Sequence, residues 1–165
     1  MSSTTASTAL HQATLSIFVQ AIMRYFDRVA CIPAEIGTPF LLEGEAELLD
    51  VTSVIGVTGD LQGCIFFTAP RPLLDELLGH IAEYQPTDEL RCDICGEVAN
   101  TFTGNVRKQL GPGFMISVPV VFSGRPEHLL WPKNTARYVI PIVWQAKRSL
   151  LIVCIGDAPA ALSAN

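Results

Sequence analysis

Apolar residues along the chain change period several times, and each change predicts an element. From Leu10 to about Arg28 the residues Leu10, Ala13, Ile17, Ala21 and Phe26 recur at spacings of three to five, which predicts a helix with one buried face. Between Ile32 and Glu43, Pro33 and Pro39 punctuate short extended pieces. Glu47 to Thr58 and Leu61 to Thr68 are rich in β-branched and aromatic residues, and Gly59-Asp60 between them suggests a tight hairpin. Pro70 and Pro72 suit a first helical turn, where a missing amide donor costs nothing. Leu73, Leu74, Leu77, Leu78 and Ile81 then repeat as a helix face ending near Glu83.

The next helix has punctuation at both ends. Thr87 can cap it, Asp88 and Glu89 complement the positive end of its dipole, Arg107 and Lys108 lie in its last turns, and Gly111-Pro112-Gly113 stops it. Phe114 to Phe122, Arg137 to Gln145 and Leu150 to Ile155 read as strands, the last two joined as a hairpin around Lys147-Arg148. The mixed order predicts an α+β domain with an antiparallel sheet packed against long helices. The Ser-, Thr- and Ala-rich residues 1–9 are expected to form a disordered tail ahead of a single domain spanning 10–160.

Composition narrows the functional classes. Of the 165 residues 49% are apolar and 16% charged, which excludes a disordered chain. The apolar bursts are too short to span a bilayer, and Met1 to Leu10 holds no basic residue, so a cytoplasmic protein with no membrane contact is expected. A formal charge of -5, with basic residues clustered only as the pairs Arg107-Lys108 and Lys147-Arg148, argues against nucleic acid as a partner. Five cysteines in a chain read as cytoplasmic fit reduced thiols.

At 3.6 residues per turn, residues 87–110 place Ile94, Cys95, Val98, Ala99, Phe102 and Val106 on one apolar arc. Asp93, Glu97, Asn100, Gly104 and Arg107 fall on the opposite arc, so a carboxylate and a carboxamide stand one turn apart on a solvent-facing stripe. Gly96 and Gly104 lie beside or on that stripe. Each weakens a helix by roughly 1 kcal/mol relative to Ala, which close packing or the approach of another protein's backbone would offset. On the pattern alone an ordinary polar helix face is the favoured reading.

Gly96-Glu97-Val98-Ala99-Asn100 followed by Thr103-Gly104-Asn105 resembles the Glu-x-x-Asn helix of the CheX, CheC and FliY phosphatases, and Asp93 matches the acidic residue upstream. Phe114-Met115-Ile116-Ser117-Val118-Pro119 and Gly124 resemble the following strand, with its Ser-x-Pro and terminal Gly. Val54 to Gly59 and Gly63-Cys64-Ile65 resemble the hairpin ahead of the helices. The chain carries one Glu-x-x-Asn, and the first helix has no acidic residue before Asp27, so the single-site, dimeric CheX is the nearer relative within this group.

The resemblance implies a phosphatase for the phospho-aspartate of a CheY-like chemotaxis response regulator. Asn100 would orient the attacking water and Glu97 would pair with the regulator's active-site Lys, while Asp93, Gly96, Gly104 and Arg107 are candidate partner-binding residues. No cofactor is expected on this chain; Mg²⁺ would sit on the regulator. Two other readings stand beside it: a catalytically weak receiver-binding adaptor or phosphate sink, and an assembly partner that uses exposed strand edges.

Cys92-x-x-Cys95 has the spacing of a metal or redox pair, but no second cysteine pair accompanies it, and two small thiols packed on the helix are the favoured reading. No nucleophile elbow, Walker loop or dinucleotide fingerprint opens a helix. His11, His80 and His128 read as surface or cap residues, and Trp131 and Trp144 as packing residues.

Overall fold

The computed structural model describes residues 2–81 and 85–159. Within them the order is α1 (Ser2–Arg28), β1 (Glu35–Ile36), β2 (Phe40–Leu41), β3 (Val51–Gly59), β4 (Leu61–Ala69), α2 (Arg71–Ile81), α3 (Asp88–Leu110), β5 (Phe114–Ile116), β6 (Val120–Ser123), β7 (Tyr138–Trp144) and β8 (Lys147–Asp157). The strands make one 8-stranded antiparallel sheet in the order β1-β7-β8-β4-β3-β5, with β2 also on β7 and β6 also on β3. The α+β class and the antiparallel sheet expected from the sequence are therefore observed. No helix among the described residues is long and apolar enough to cross a membrane.

The helices pack on one face of the sheet and share a core with it. Phe18, Ile22 and Phe26 of α1, Leu73, Leu74 and Leu77 of α2, and Val98, Phe102 and Val106 of α3 are buried with Ile55, Ile65, Phe67 and Trp144. A smaller cluster on the sheet, Phe66, Val139, Leu150, Ile152 and Cys154, is covered by Leu42, Ala46 and Leu48 and by Leu129 and Trp131 of the long β6–β7 connection. Trp144 is fully buried and its indole N–H donates to Ile32 O at 3.0 Å, so both tryptophans pack as expected.

Several details differ from the sequence reading. α1 starts at Ser2, not at Leu10, so a helix runs through the segment read as a tail. Its buried face is Thr14, Leu15, Phe18, Ala21, Ile22, Tyr25 and Phe26, rotated from the expected one. Ala13 is exposed, Ile17 is half-buried and Leu10 lies outside the described side chains. The alternatives Leu15, Phe18 and Ile22 keep the same period and bury more apolar area per residue than Ala13. The expected end of α2 near Glu83 lies outside the described residues. β3 begins at Val51, because residues 47–50 leave the sheet and Leu48 turns into the smaller cluster. The β7–β8 turn is Gln145-Ala146, both at positive φ (49° and 59°), while Lys147 already pairs with Trp144. Two successive residues at positive φ make the tight turn that suits hairpin twist, and Gln-Ala lacks its usual Asn-Gly signature.

The single strand expected over Phe114 to Phe122 is two strands separated by a bulge. Ile116 lies opposite Val57 and Val120 opposite Val54, so Ser117, Val118 and Pro119 face only Ile55 and Gly56. The Ser117 N–H donates to Gly56 O at 2.9 Å, and the Gly56 N–H donates to Ser117 Oγ at 2.9 Å. A serine side chain thus repairs the ladder where the backbone steps away. Pro119 occupies a place where no amide donor is required. Gly124, at φ 78°, closes the segment with its N–H on Asp50 O at 2.8 Å.

Candidate functional site

α3 is the element that presents the candidate groups. Thr87 caps it, its side chain accepting the Leu90 N–H at 3.2 Å, and the Gly111 N–H returns to Arg107 O at 2.9 Å at the other end. Ile94, Cys95, Val98, Ala99, Phe102 and Val106 are all buried, as the arc predicts. Thr103 shares that buried side and gives its hydroxyl to Ala99 O at 2.8 Å. Arg91 bridges Asp75 of α2 and Asp88 of α3, fixing the two helices together. The helix is therefore held on two sides before its outer face does anything.

On the outer face Asp93, Glu97, Asn100 and Arg107 are exposed and Gly104 is half-buried. Asn100 joins two shallow depressions. One is lined by Cys92, Asp93, Gly96, Glu97, Pro119 and Val121 beside it, the other by Gly104, Arg107, Lys108, Pro112 and Ile116. Asn100 is thus bordered by carboxylates toward the helix N-terminus and by cations toward its C-terminus. Neither depression encloses a small molecule; both suit contact with another protein's surface.

The two glycines have different surroundings. Gly96 is buried, and a Cβ there would come within 3.1 Å of Val121 Cγ2 and 3.7 Å of Pro119 Cβ. Close packing of α3 on the bulged edge accounts for it. Around Gly104 nothing lies within 4 Å of where a Cβ would stand, so packing gives it no reason and its effect is open space beside Asn100. Pro119 and Val121, as walls of the acidic depression, were not singled out as site residues in the sequence; the Ser-x-Pro step at the bulge is the signal that points to them.

Tyr25 of α1 lies beneath the stripe, 3% exposed and edge-on to Phe102 with ring centroids 5.3 Å apart. Burial, and then the nearby Glu97 carboxylate, hold its phenol well above the usual range, so it stays protonated. Cys95 is buried with its thiol toward Val51 O and Phe67 O, each at 3.8 Å, and burial pushes its pKa up to about 12. A thiol held protonated is a poor nucleophile and a poor metal ligand. Cys92 is half-buried, its sulfur 3.6 Å from Ser123 Oγ. Among the described residues no group of three or more His, Cys, Asp or Glu is placed to hold a metal ion. His80 is exposed against Trp144, His128 is exposed, and His11 sits 3.4 Å from the Tyr138 hydroxyl; none of the three lines the depressions beside Asn100.

The fold of an antiparallel sheet backed by helices is shared with solved chemotaxis proteins. The chemotaxis protein CheX from Vibrio vulnificus is similar over 87% of this chain and 99% of its own, with TM-score 0.77 and 22% identity. A CheX from Borrelia burgdorferi, solved as a CheX–CheY–BeF3–Mg²⁺ complex, matches with TM-score 0.73 and 18% identity over 87% of this chain and 97% of its own. The FliM middle domain from H. pylori matches more distantly, with TM-score 0.64 and 6% identity over 86% and 87%. At these identities the likeness is one of fold. A comparison with curated proteins finds no match. The sequence model of the family described as chemotaxis phosphatase CheX matches residues 51–143, from β3 through most of β7 and including the whole of α3. The chain belongs to the CheX family of chemotaxis phosphatases.

Proposed function

We propose that this protein hydrolyses the phospho-aspartate of a CheY-like receiver, with Asn100 orienting the attacking water and Glu97 docking the receiver's active-site Lys. The observation that carries the reading is the pairing of Glu97 and Asn100, exposed one turn apart on a helix whose opposite side is fully packed. The complex of the Borrelia relative with CheY, BeF3 and Mg²⁺ supports a receiver as the partner.

The chemistry asks little of the protein beyond placement. An acyl phosphate is intrinsically labile, and a water held in line with phosphorus supplies what is missing. The water oxygen bonds to phosphorus as the bond from phosphorus to the aspartyl oxygen breaks, leaving a carboxylate and inorganic phosphate. Asn100 offers both a carbonyl acceptor and an amide donor, which suits it to hold a water in one orientation. Glu97 supplies the charge partner for a lysine, and Asp93 extends the acidic side of the docking surface. Gly104 leaves room for the receiver, Gly96 lets α3 seat closely against Pro119 and Val121, and Arg107 faces the receiver from the basic side. Mg²⁺ belongs to the receiver's own carboxylates. The same reading makes the protein cytoplasmic, where its substrate is found, and a homodimer like the family member it resembles.

The test is the decay of a phosphorylated CheY-type receiver from the same organism, with Mg²⁺, alone and with catalytic amounts of wild type, Asn100→Ala or Glu97→Ala. Wild type is expected to accelerate decay. Asn100→Ala should abolish acceleration while still binding, and Glu97→Ala should weaken binding as well. Equal activity of Asn100→Ala and wild type would sink the mechanism.

A further inference from the structure

The basic side of Asn100 carries an inference that rests on the phosphatase reading and deepens it. Arg107 is exposed, and among the described residues it takes part in none of the ion pairs, which join Arg71, Arg91, Lys147 and Arg148 to acids elsewhere. It follows Asn100 by seven positions, which on an α-helix is two turns less about 20°, so the two residues stand on one line about 10.5 Å apart along the axis. Gly104 lies between them on the same face, and all three line one depression.

Long side chains on a helix lean toward its N-terminus, over the turn before their own. For Arg107 that direction crosses Gly104, where nothing stands within 4 Å of a Cβ position. The guanidinium therefore has an unobstructed path toward Asn100. A cation in a last turn is also favoured by the helix dipole. The dipole, however, gives no reason for a glycine one turn upstream, which weakens the helix by roughly 1 kcal/mol relative to Ala. Clearance for Arg107 gives one.

We propose that Arg107 reads the phosphoryl group: laid back across Gly104, its guanidinium donates to phosphoryl oxygens of the acyl phosphate that Asn100 faces. It distinguishes the phosphorylated receiver from the unphosphorylated one. A planar fork of N–H donors fits phosphate oxygens in pairs and remains charged at every working pH. Arg107 exchanges no proton in this role; it stabilises negative charge on oxygens that Glu97, three residues before Asn100, would repel. The charge order along the stripe, carboxylates then carboxamide then guanidinium, sets the receiver's polarity. Its lysine meets Glu97 and its phosphoryl group meets Arg107.

The experiment measures binding of wild type, Arg107→Ala, Arg107→Lys and Gly104→Ala to one receiver with and without beryllofluoride and Mg²⁺, alongside dephosphorylation rates. Wild type should prefer the loaded receiver. Losing a charged hydrogen-bonding group should cut that preference in Arg107→Ala by roughly ten- to a hundredfold, with a much smaller loss of affinity for the unloaded receiver. Lysine, a point charge without the fork, should restore only part of it. Gly104→Ala should raise Tm by about 2–4 °C while lowering the preference, a combination that a merely structural glycine would not produce. Wild-type preference and rate in Arg107→Ala, beside an active wild type, overturns this inference alone. So does an equal loss of affinity for loaded and unloaded receivers. A wild type that neither binds nor dephosphorylates the receiver overturns the phosphatase reading with it.

Discussion

The bulge at residues 117–119 links a sequence motif to the wall of the site, and Ser117→Ala tests that link. Ser117 Oγ accepts the Gly56 N–H at 2.9 Å and gives its own proton to Val118 O at 3.0 Å. A neutral hydrogen bond contributes about 0.5–1.5 kcal/mol, and Ser117 is exposed, so water replaces part of what the alanine removes. The expected destabilisation is about 1 kcal/mol, which for a domain of this size lowers Tm by about 2–4 °C. The sharper readout is amide exchange. The Gly56 N–H has the serine side chain as its acceptor, whereas the Ser117 N–H keeps Gly56 O at 2.9 Å in either variant. Exchange at Gly56 should accelerate well beyond the roughly fivefold that a global loss of about 1 kcal/mol allows, while Val54 and Ile55 in the same strand stay within that global shift. With the ladder loosened, Pro119 no longer holds a fixed position over Gly96, and receiver dephosphorylation should fall although no residue of the Glu97–Asn100 pair has changed. Unchanged Gly56 exchange in Ser117→Ala would refute the side-chain repair of the ladder.

Two further outcomes follow from buried groups elsewhere. Burial raises both Cys95 and Cys154 from the ordinary thiol value to about 12, so above pH 9 the unfolded chain loses protons that the folded chain retains. The stability these thiols contribute is complete below pH 9 and is lost as pH rises toward 12. Cys95→Ala should therefore flatten the fall of Tm between pH 9 and pH 11, and a slope identical to wild type would contradict the assignment. Gly63 has φ 145°, and a Cβ there would lie 1.9 Å from Cys154 O and 2.9 Å from its carbonyl carbon. Backbone of the adjacent central strand β8 cannot step aside as a side chain can, so Gly63→Ala should cost about 3 kcal/mol or more and lower Tm by about 6 °C or more. Thermal melts by circular dichroism check it, and a shift under 2 °C would show that the strands re-register at little cost.

The elements that were legible in the sequence are those whose side chains repeat with one period for three turns or more. α3 has a capping threonine, a six-residue buried arc and a glycine stop, and every residue of that arc is buried as expected. The outer face was legible for the same reason, since at 3.6 residues per turn a fixed inner arc determines which residues point outward. α1 gave its period but not its phase. It offers two overlapping apolar sets, and only packing against α3 and Trp144 decides that Phe18, Ile22 and Tyr25 turn inward while Ala13 turns out. Features decided by one pair of backbone positions left no such trace. The β7–β8 turn uses Gln145-Ala146, residues with no preference for positive φ, because the paired strands on either side, in register from Trp144 opposite Lys147 to Tyr138 opposite Val153, impose the conformation. The bulge sits within an unbroken run of apolar and small residues, Phe114 to Phe122, that reads as one strand. It was visible only as a family motif, Ser-x-Pro, whose physical content is that serine supplies the missing acceptor and proline needs no partner for its nitrogen. The site follows the same division. Helical period turns Glu97 and Asn100 outward and the Glu-x-x-Asn resemblance singles them out, but the surface into which they project is walled by Pro119 and Val121, whose place against α3 depends on contacts between segments far apart in the chain.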